Sequence, residues 1–169
     1  IQEKIEMNER KKFIEKHNYS IWQGKDGKFY TYLPDQQSKR GKKLVKRTSE
    51  KAIEDTIVKF YKGKEDEPTI KEVYLFWITD KMEYKEITKQ TKDKYDTNFK
   101  RFFENEYLPI ADRKIRYVDE ECLEHFIKTA ISKLQLTQKA YSDMRILING
   151  IFKYAKKRHY TSMSITNFM

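Results

Sequence analysis

Six basic side chains fall within nine positions: Lys39, Arg40, Lys42, Lys43, Lys46 and Arg47. Lysines often blunt the edge of a sheet, but this density exceeds that need and suits the phosphate backbone of a nucleic acid. A second basic stretch, Tyr154-Ala155-Lys156-Lys157-Arg158, ends the last helix-length segment. The balance of the whole chain agrees. Across 169 residues, 36 Lys and Arg stand against 26 Asp and Glu, a formal charge of +10, which favours a polyanionic partner. The excess is concentrated: residues 1–64 carry 17 basic and 9 acidic side chains, whereas residues 65–169 carry 19 and 17.

Other chemistries find little footing. No Cys or His pair has metal-ligand spacing, and neither a P-loop nor a phosphate-cradling loop occurs among the 5 glycines, so no metal and no cofactor is expected. Glu120-Glu121 suits a helix N-terminus, where carboxylates complement the dipole. The lone Cys122 fits a small buried side chain on an apolar helical stripe. No apolar run approaches the roughly 18 residues of a membrane span, and no secretory pattern opens the chain. A cytoplasmic protein without a membrane partner is the expectation. With 12 Tyr and 10 Phe, the chain has the apolar material to fold.

The elements that must position the basic residues follow from periodicity. Residues 1–18 form a weak helix or arm. From Tyr19 the period becomes two, and Asp26-Gly27 predicts a hairpin with a two-residue turn between Tyr19–Gly24 and Phe29–Leu33. Pairing Lys25 with Lys28 places Trp22, Phe29, Thr31 and Leu33 on one face, and Ile21, Gln23, Lys25, Lys28, Tyr30 and Tyr32 on the other. Pro34–Gly41 connects to a third strand over Lys42–Thr48. A helix over Ser49–Lys62, striped with Ile53, Ile57 and Phe60 or Tyr61, covers the Trp22 face. Gly63–Pro68 is polar and marks a linker.

Four helices follow. Thr69 and Glu72 form a capping box for a helix with Ile70, Val73, Tyr74, Trp77 and Ile78 inward. The second starts near Thr88–Thr91, presents Tyr95, Phe99, Phe102 and Phe103, and is closed by the Tyr107-Leu-Pro109-Ile phrase. The third starts at Asp119, with Val118 and Leu123 as its staple, and buries Phe126, Ile127, Ala130 and Ile131. The fourth starts at Thr137 and buries Met144, Leu147, Ile148, Ile151, Phe152 and Ala155. Its Lys139, Ser142, Arg145, Asn149, Lys153 and Lys156 share the opposite face.

Two resemblances follow from these phrases. Gly27-Lys28-Phe29-Tyr30, the Lys39-Arg-Gly-Lys-Lys43 run and the Lys42–Thr48 strand resemble the arm-binding module of transposon and phage integrases, which lays its sheet in the DNA major groove. Trp77, Thr91 with Tyr95, Pro109-Ile110, Val118-Asp119, Leu136-Thr137 and Phe152-Lys-Tyr-Ala-Lys156, in that order, are similar to the core-binding domain of tyrosine recombinases. The family commonly has Asn-Pro where Asn167-Phe168 stands.

The resemblance implies an α+β chain: a small three-stranded antiparallel sheet backed by a helix over residues 1–64, then an all-α, four-helix, SAM-like core-binding domain over 65–169. It implies double-stranded DNA as partner, with other recombinase protomers in a synaptic complex, and a role in integration or excision of a mobile element. DNA contacts are expected from Lys25, Lys28, Tyr30 and Tyr32 with the basic run, and, by position in the family, from Lys89, Thr91 and Lys92 on the second core-binding helix. The fourth helix adds Lys139, Ser142, Arg145, Asn149, Lys153 and Lys156, with Arg145 or Asn149 suited to a base edge. The family's catalytic signature includes His-x-x-Arg and a late Tyr nucleophile. His17, His125 and His159 all lack that spacing, so this chain is expected to grip DNA without cutting it. The competing readings are a stand-alone DNA- or RNA-binding regulator using Tyr30 and Tyr32 to stack bases, and a helical protein-interaction scaffold.

Overall fold

A computed structural model describes residues 1–35, 37–63 and 66–165. The fold is α+β and mostly helical, in the order α1 (Gln2–Lys16), β1 (Trp22–Gln23), β2 (Phe29–Pro34), β3 (Lys42–Arg47), α2 (Glu50–Lys62), α3 (Ile70–Glu83), α4 (Lys89–Phe103), α5 (Glu120–Lys133) and α6 (Gln138–Lys157). A short 3-10 turn over Ile115–Tyr117 precedes α5. The chain divides into two compact units, one of residues Met7–Asp66 and one that joins Ile1–Glu6 to the residues from Glu67 onward. The boundary therefore falls inside α1.

In the first unit the sheet is antiparallel in the order β1-β2-β3. Its register differs from the sequence expectation by one residue. Trp22 lies opposite Tyr30 and Gln23 opposite Phe29, while the Gly24 amide donates to the Lys28 carbonyl at 2.8 Å and the Gly27 amide to the Gly24 carbonyl at 3.0 Å. The loop thus holds three residues, Lys25-Asp26-Gly27, with Gly27 at φ 77. This left-handed glycine closing a three-residue turn is the alternative to the two-residue loop. A shift of one residue turns β1 over: Ile21 packs with Phe29 against the buried cluster of Leu33, Val45, Ile53 and Ile57, and Trp22 emerges on the open face. α2, capped by Ser49 accepting from the Ala52 amide at 3.1 Å, covers the Leu33–Val45 face instead of a Trp22 face. Of the two readings of residues 1–18, weak helix or arm, the helix is the one formed, over Gln2–Lys16. Phe13 is buried, and the Arg10 guanidinium bridges Asp55 and, at 3.0 Å, Glu54 on α2.

In the second unit α3, α4, α5 and α6 each start at a side-chain cap: Thr69, Thr88, Asp119 and Thr137 each accept an amide three residues on. These satisfy donors that a helix start leaves unpaired. α4 stops at Phe103, well before Pro109. The buried Asn105 ends it, donating to the Phe102 carbonyl at 2.6 Å and accepting from the Tyr107 and Leu108 amides, both at 2.8 Å. The expected proline stop is therefore an asparagine stop. Ile131, expected inside, is exposed. The ends of α3, α5 and α6 turn through Lys85, Gln135 and His159, all at positive φ, where glycine is the usual residue.

An aromatic ladder joins the helices of this unit: Tyr74 on Phe99 at 4.3 Å, Phe99 on Phe103 at 4.8 Å and Phe103 near Phe126 at 5.2 Å between centroids. Trp77 stacks on Tyr95 of α4 at 5.9 Å and lies against Gly150 of α6. A Cβ on Gly150 would stand 2.5 Å from Trp77 Cε2 and closer still to Cζ2 and Cη2. Alanine normally improves a helix interior by about 1 kcal/mol over glycine, but overpacking a core costs ~1–3 kcal/mol. The collision at Gly150 is severe enough for overpacking to win. Gly150→Ala is therefore expected to destabilise the chain by about 1–2 kcal/mol in urea unfolding. A stabilised variant would mean that Trp77 does not occupy this slot.

Candidate nucleic-acid interface

The open sheet face is built by alternation. Opposite the α2-covered Thr31, Leu33 and Val45, strand geometry sends Tyr30, Tyr32, Lys42, Leu44 and Lys46 outward, paired as Tyr30 with Lys46, Tyr32 with Leu44 and Pro34 with Lys42. Trp22 extends this face from β1. It stacks on Tyr30 at 5.7 Å and 15° and leans on Tyr32 at 5.5 Å, while Tyr19 approaches Tyr32 at 6.0 Å. The ammonium of Lys42 stands 4.1 Å from the centre of the Tyr32 ring and 5.6 Å from that of Tyr19, and Lys46 stands 5.9 Å from Tyr30. Ring quadrupoles thus hold two cations on the open side of the sheet.

Asp26 tempers the charge at the turn end. It accepts from the Tyr30 hydroxyl at 2.5 Å and the Lys28 amide at 3.1 Å, and lies 3.8 Å from the Lys46 ammonium. The Tyr30 hydrogen bond leads the causes that hold its carboxyl below the ordinary carboxylate range, and the same bond raises the Tyr30 phenol.

The other sheet-unit residues expected to touch DNA divide by position. Lys25 belongs to the turn, and Lys28 pairs with Gly24 beside it. Lys39 and Arg40 are exposed in the β2–β3 connection. Lys43 and Arg47 pair with Leu33 and Phe29, so they flank the opposite face, not that of Tyr30 and Tyr32. Sequence reasoning missed Trp22, Tyr19 and Leu44 as members of the open face. Gly24 was the available signal, since a glycine on each side of Lys25-Asp26 accommodates the three-residue turn.

In the helical unit the expected contacts serve mixed purposes. Lys89 is exposed at the start of α4. The Thr91 amide and hydroxyl meet the Thr88 cap at 3.2 and 3.1 Å, and Lys92 is paired with Asp96 at 2.7 Å. Asp96 also accepts from the buried Tyr74 hydroxyl at 2.5 Å; burial, then this bond, pushes the Tyr74 phenol far up.

On α6, Lys139, Ser142, Lys153 and Lys156 are exposed and Arg145 and Asn149 half-buried. All six lie opposite the fully buried Met144, Leu147, Ile148, Ile151, Phe152 and Ala155. Ser142 donates to its own helix at Gln138, and the Arg145 guanidinium lies 5.8 Å over Tyr141. Asn149, Lys153 and Lys156 line an open groove of about 820 Å³ between α3 and α6, with Lys81, Lys157 and Arg158 adding positive charge. Two of these cations are already paired, Lys81 with Glu86 at 3.1 Å and Arg158 with Asp80 at 2.9 Å.

Among the described residues no cluster of His, Cys, Asp and Glu could hold a metal ion, and no helix is long and apolar enough to cross a membrane. Asn167-Phe168 lies outside the described residues. No family model, curated protein or solved structure matches the chain.

Beneath the aromatic face, His17 ties the end of α1 to the sheet. Its Nδ1 meets the Tyr61 hydroxyl at 2.9 Å and its Nε2 the Thr31 hydroxyl at 2.8 Å. Thr31 already donates to the Ser20 carbonyl at 3.0 Å, so it accepts from Nε2–H and leaves Nδ1 to accept from Tyr61. Acceptance at Nδ1 requires the neutral ring, whereas Nε2–H can donate in either charge state. Burial lowers the His17 pKa below its ordinary 6.5, so the unfolded chain takes up this proton first. The contribution of His17 is therefore complete above pH 6.5 and is lost as pH falls through the folded value. Amide-exchange protection of β2, corrected for intrinsic rates, should fall from about pH 7 to about 5.5, and His17→Gln should flatten that dependence. Equal pH dependence in the two proteins would contradict the neutral-ring assignment.

Proposed function

We propose that this chain is the duplex-DNA-gripping part of a site-specific tyrosine recombinase that integrates or excises a mobile element. The observation that carries the DNA reading is the open sheet face, on which Lys42 and Lys46 stand over Tyr32 and Tyr30. Single-strand binders use bare aromatic faces to stack bases. Here Trp22 covers one side of Tyr30 and cations occupy the faces of both tyrosines, which favours phosphate contact over base stacking. A protein-interaction scaffold has less support, because the exposed apolar residues of this face, Trp22 and Leu44, share it with the cations Lys42 and Lys46.

The recombinase assignment rests on the ordered phrases from Trp77 to Lys156. The reading of the helical unit as a SAM-like core-binding domain, and of other protomers as partners, rests on the same phrases. It is consistent with the polar face of α6, where Lys139, Lys153 and Lys156 are unburied. In this reading the aromatic-supported lysines fix phosphate register, and Arg145 and Asn149 approach base edges.

Salt dependence is the direct test. Each lost phosphate contact lowers the slope of log K against log[salt] by about 0.9. The pair Lys42→Ala with Lys46→Ala should therefore reduce the slope by about 1.8, and Lys153→Ala with Lys156→Ala should reduce it by a similar amount. Single-stranded competitor should displace the duplex poorly. An unchanged slope in the sheet variant would remove the sheet face from the interface, and preferential binding of single strands would favour the RNA- or single-strand-binding alternative.

A further inference from the structure

The open face contains one aliphatic side chain that nothing in the fold requires. Leu44 lies in the middle of β3, 54% exposed, opposite Tyr32 and two residues from each of Lys42 and Lys46. The core of this unit is formed by Leu33, Val45, Ile53 and Ile57 without it. An exposed leucine on an edge strand invites strand-to-strand association, so its position between two cations calls for an apolar occupant within a polyanionic ligand.

Dimensions narrow that occupant. A strand rises ~3.3 Å per residue, so Lys42 and Lys46 attach about 13 Å apart, close to the ~12 Å width of the B-DNA major groove. A strand set across the groove would bring its two lysines to opposite phosphate walls and point Leu44 at the floor. The floor presents one apolar group, the C5-methyl of thymine. Tyr32 keeps Leu44 in register on one side. That ring is itself held by Trp22 at 5.5 Å and by the Lys42 ammonium at 4.1 Å.

We infer that Leu44 is a specificity-determining residue that packs on thymine methyl groups in the major groove and biases this face towards thymine-containing sites. The inference rests on the duplex-DNA reading above and adds the base it selects. Lysines on phosphates give affinity without sequence information, and the leucine supplies a distinction that no hydrogen bond on this face provides.

The full chain is used to enrich duplexes from a random-sequence pool, and an enriched duplex is resynthesised with deoxyuridine in place of thymidine. Removing the methyl groups should weaken binding about fourfold for each methyl that Leu44 covers, the equivalent of one buried methylene. Leu44→Ala should bind the thymine and uracil duplexes equally, and should match the wild-type affinity for the uracil duplex within about twofold. Equal wild-type affinities for the two duplexes, a thymine preference surviving in Leu44→Ala, or duplex binding without enrichment of any thymine-containing sequence would each overturn the inference while leaving duplex binding intact. Failure to bind any duplex would overturn the functional reading itself.

Discussion

The helical unit depends on a missing side chain. Gly150 lets the Trp77 indole lie directly against α6, and the same indole stacks on Tyr95 of α4. Three helices are fixed relative to one another by one ring. Close-packed interiors transmit such a constraint, because side chains interdigitate and leave few voids. With α6 held by Gly150 and by its buried stripe from Met144 to Ala155, the rotation of the helix is set, and Lys139, Lys153 and Lys156 are turned to solvent. The polar surface on which the functional reading draws is a consequence of where Trp77 sits.

The sheet unit obeys an analogous constraint of register. Because strand side chains alternate, each residue of β1 has two possible fates, core or surface. The three-residue loop ending at Gly27 chooses for all of them, sending Ile21 inward to the α2-covered cluster and Trp22 outward to Tyr30 and Tyr32. The outcome is chemically specific. Aromatic rings packed edge and face on a sheet would otherwise expose apolar surface, and here lysine ammoniums stand on them, so the surface combines shape stability with positive charge.

The sequence made the helices legible because their signals are local and redundant. Thr69, Asp119 and Thr137 are starts by residue type and by spacing to the apolar stripe, and each accepts an amide three residues on; within the expected Thr88–Thr91 start, Thr88 is the cap. The expected stripe of α6 from Met144 to Ala155 is buried throughout, and Ala140 joins it. What escaped depended on contacts or on near-degenerate alternatives. Asp-Gly is compatible with two- and three-residue turns, and that single ambiguity misplaced Trp22. The stop after Phe103 comes from the amide side chain of Asn105 bonding its neighbours, which an irregular stretch before a proline does not announce. The first helix has few apolar residues, and its order comes from buried Ile5 and Phe13 and from Arg10 meeting Glu54 and Asp55. Those partners are distant in sequence and invisible to a periodicity argument. The candidate site was legible as a density of charge, but its arrangement into open-face lysines and flanking Lys43 and Arg47 emerged from the strand register.

The claim that joins these features is that the aromatic and basic face of the sheet is the surface that meets duplex DNA. Amide chemical shifts of the isotopically labelled chain, followed while an unlabelled duplex is added, test it residue by residue. The account requires the largest changes in the sheet unit at Tyr19, Trp22, Tyr30, Tyr32, Lys42, Leu44 and Lys46, with Ile53 and Ile57 on the covered side little affected. Changes concentrated on α2 and the first helix, or none on β2 and β3 at saturating duplex, would contradict it.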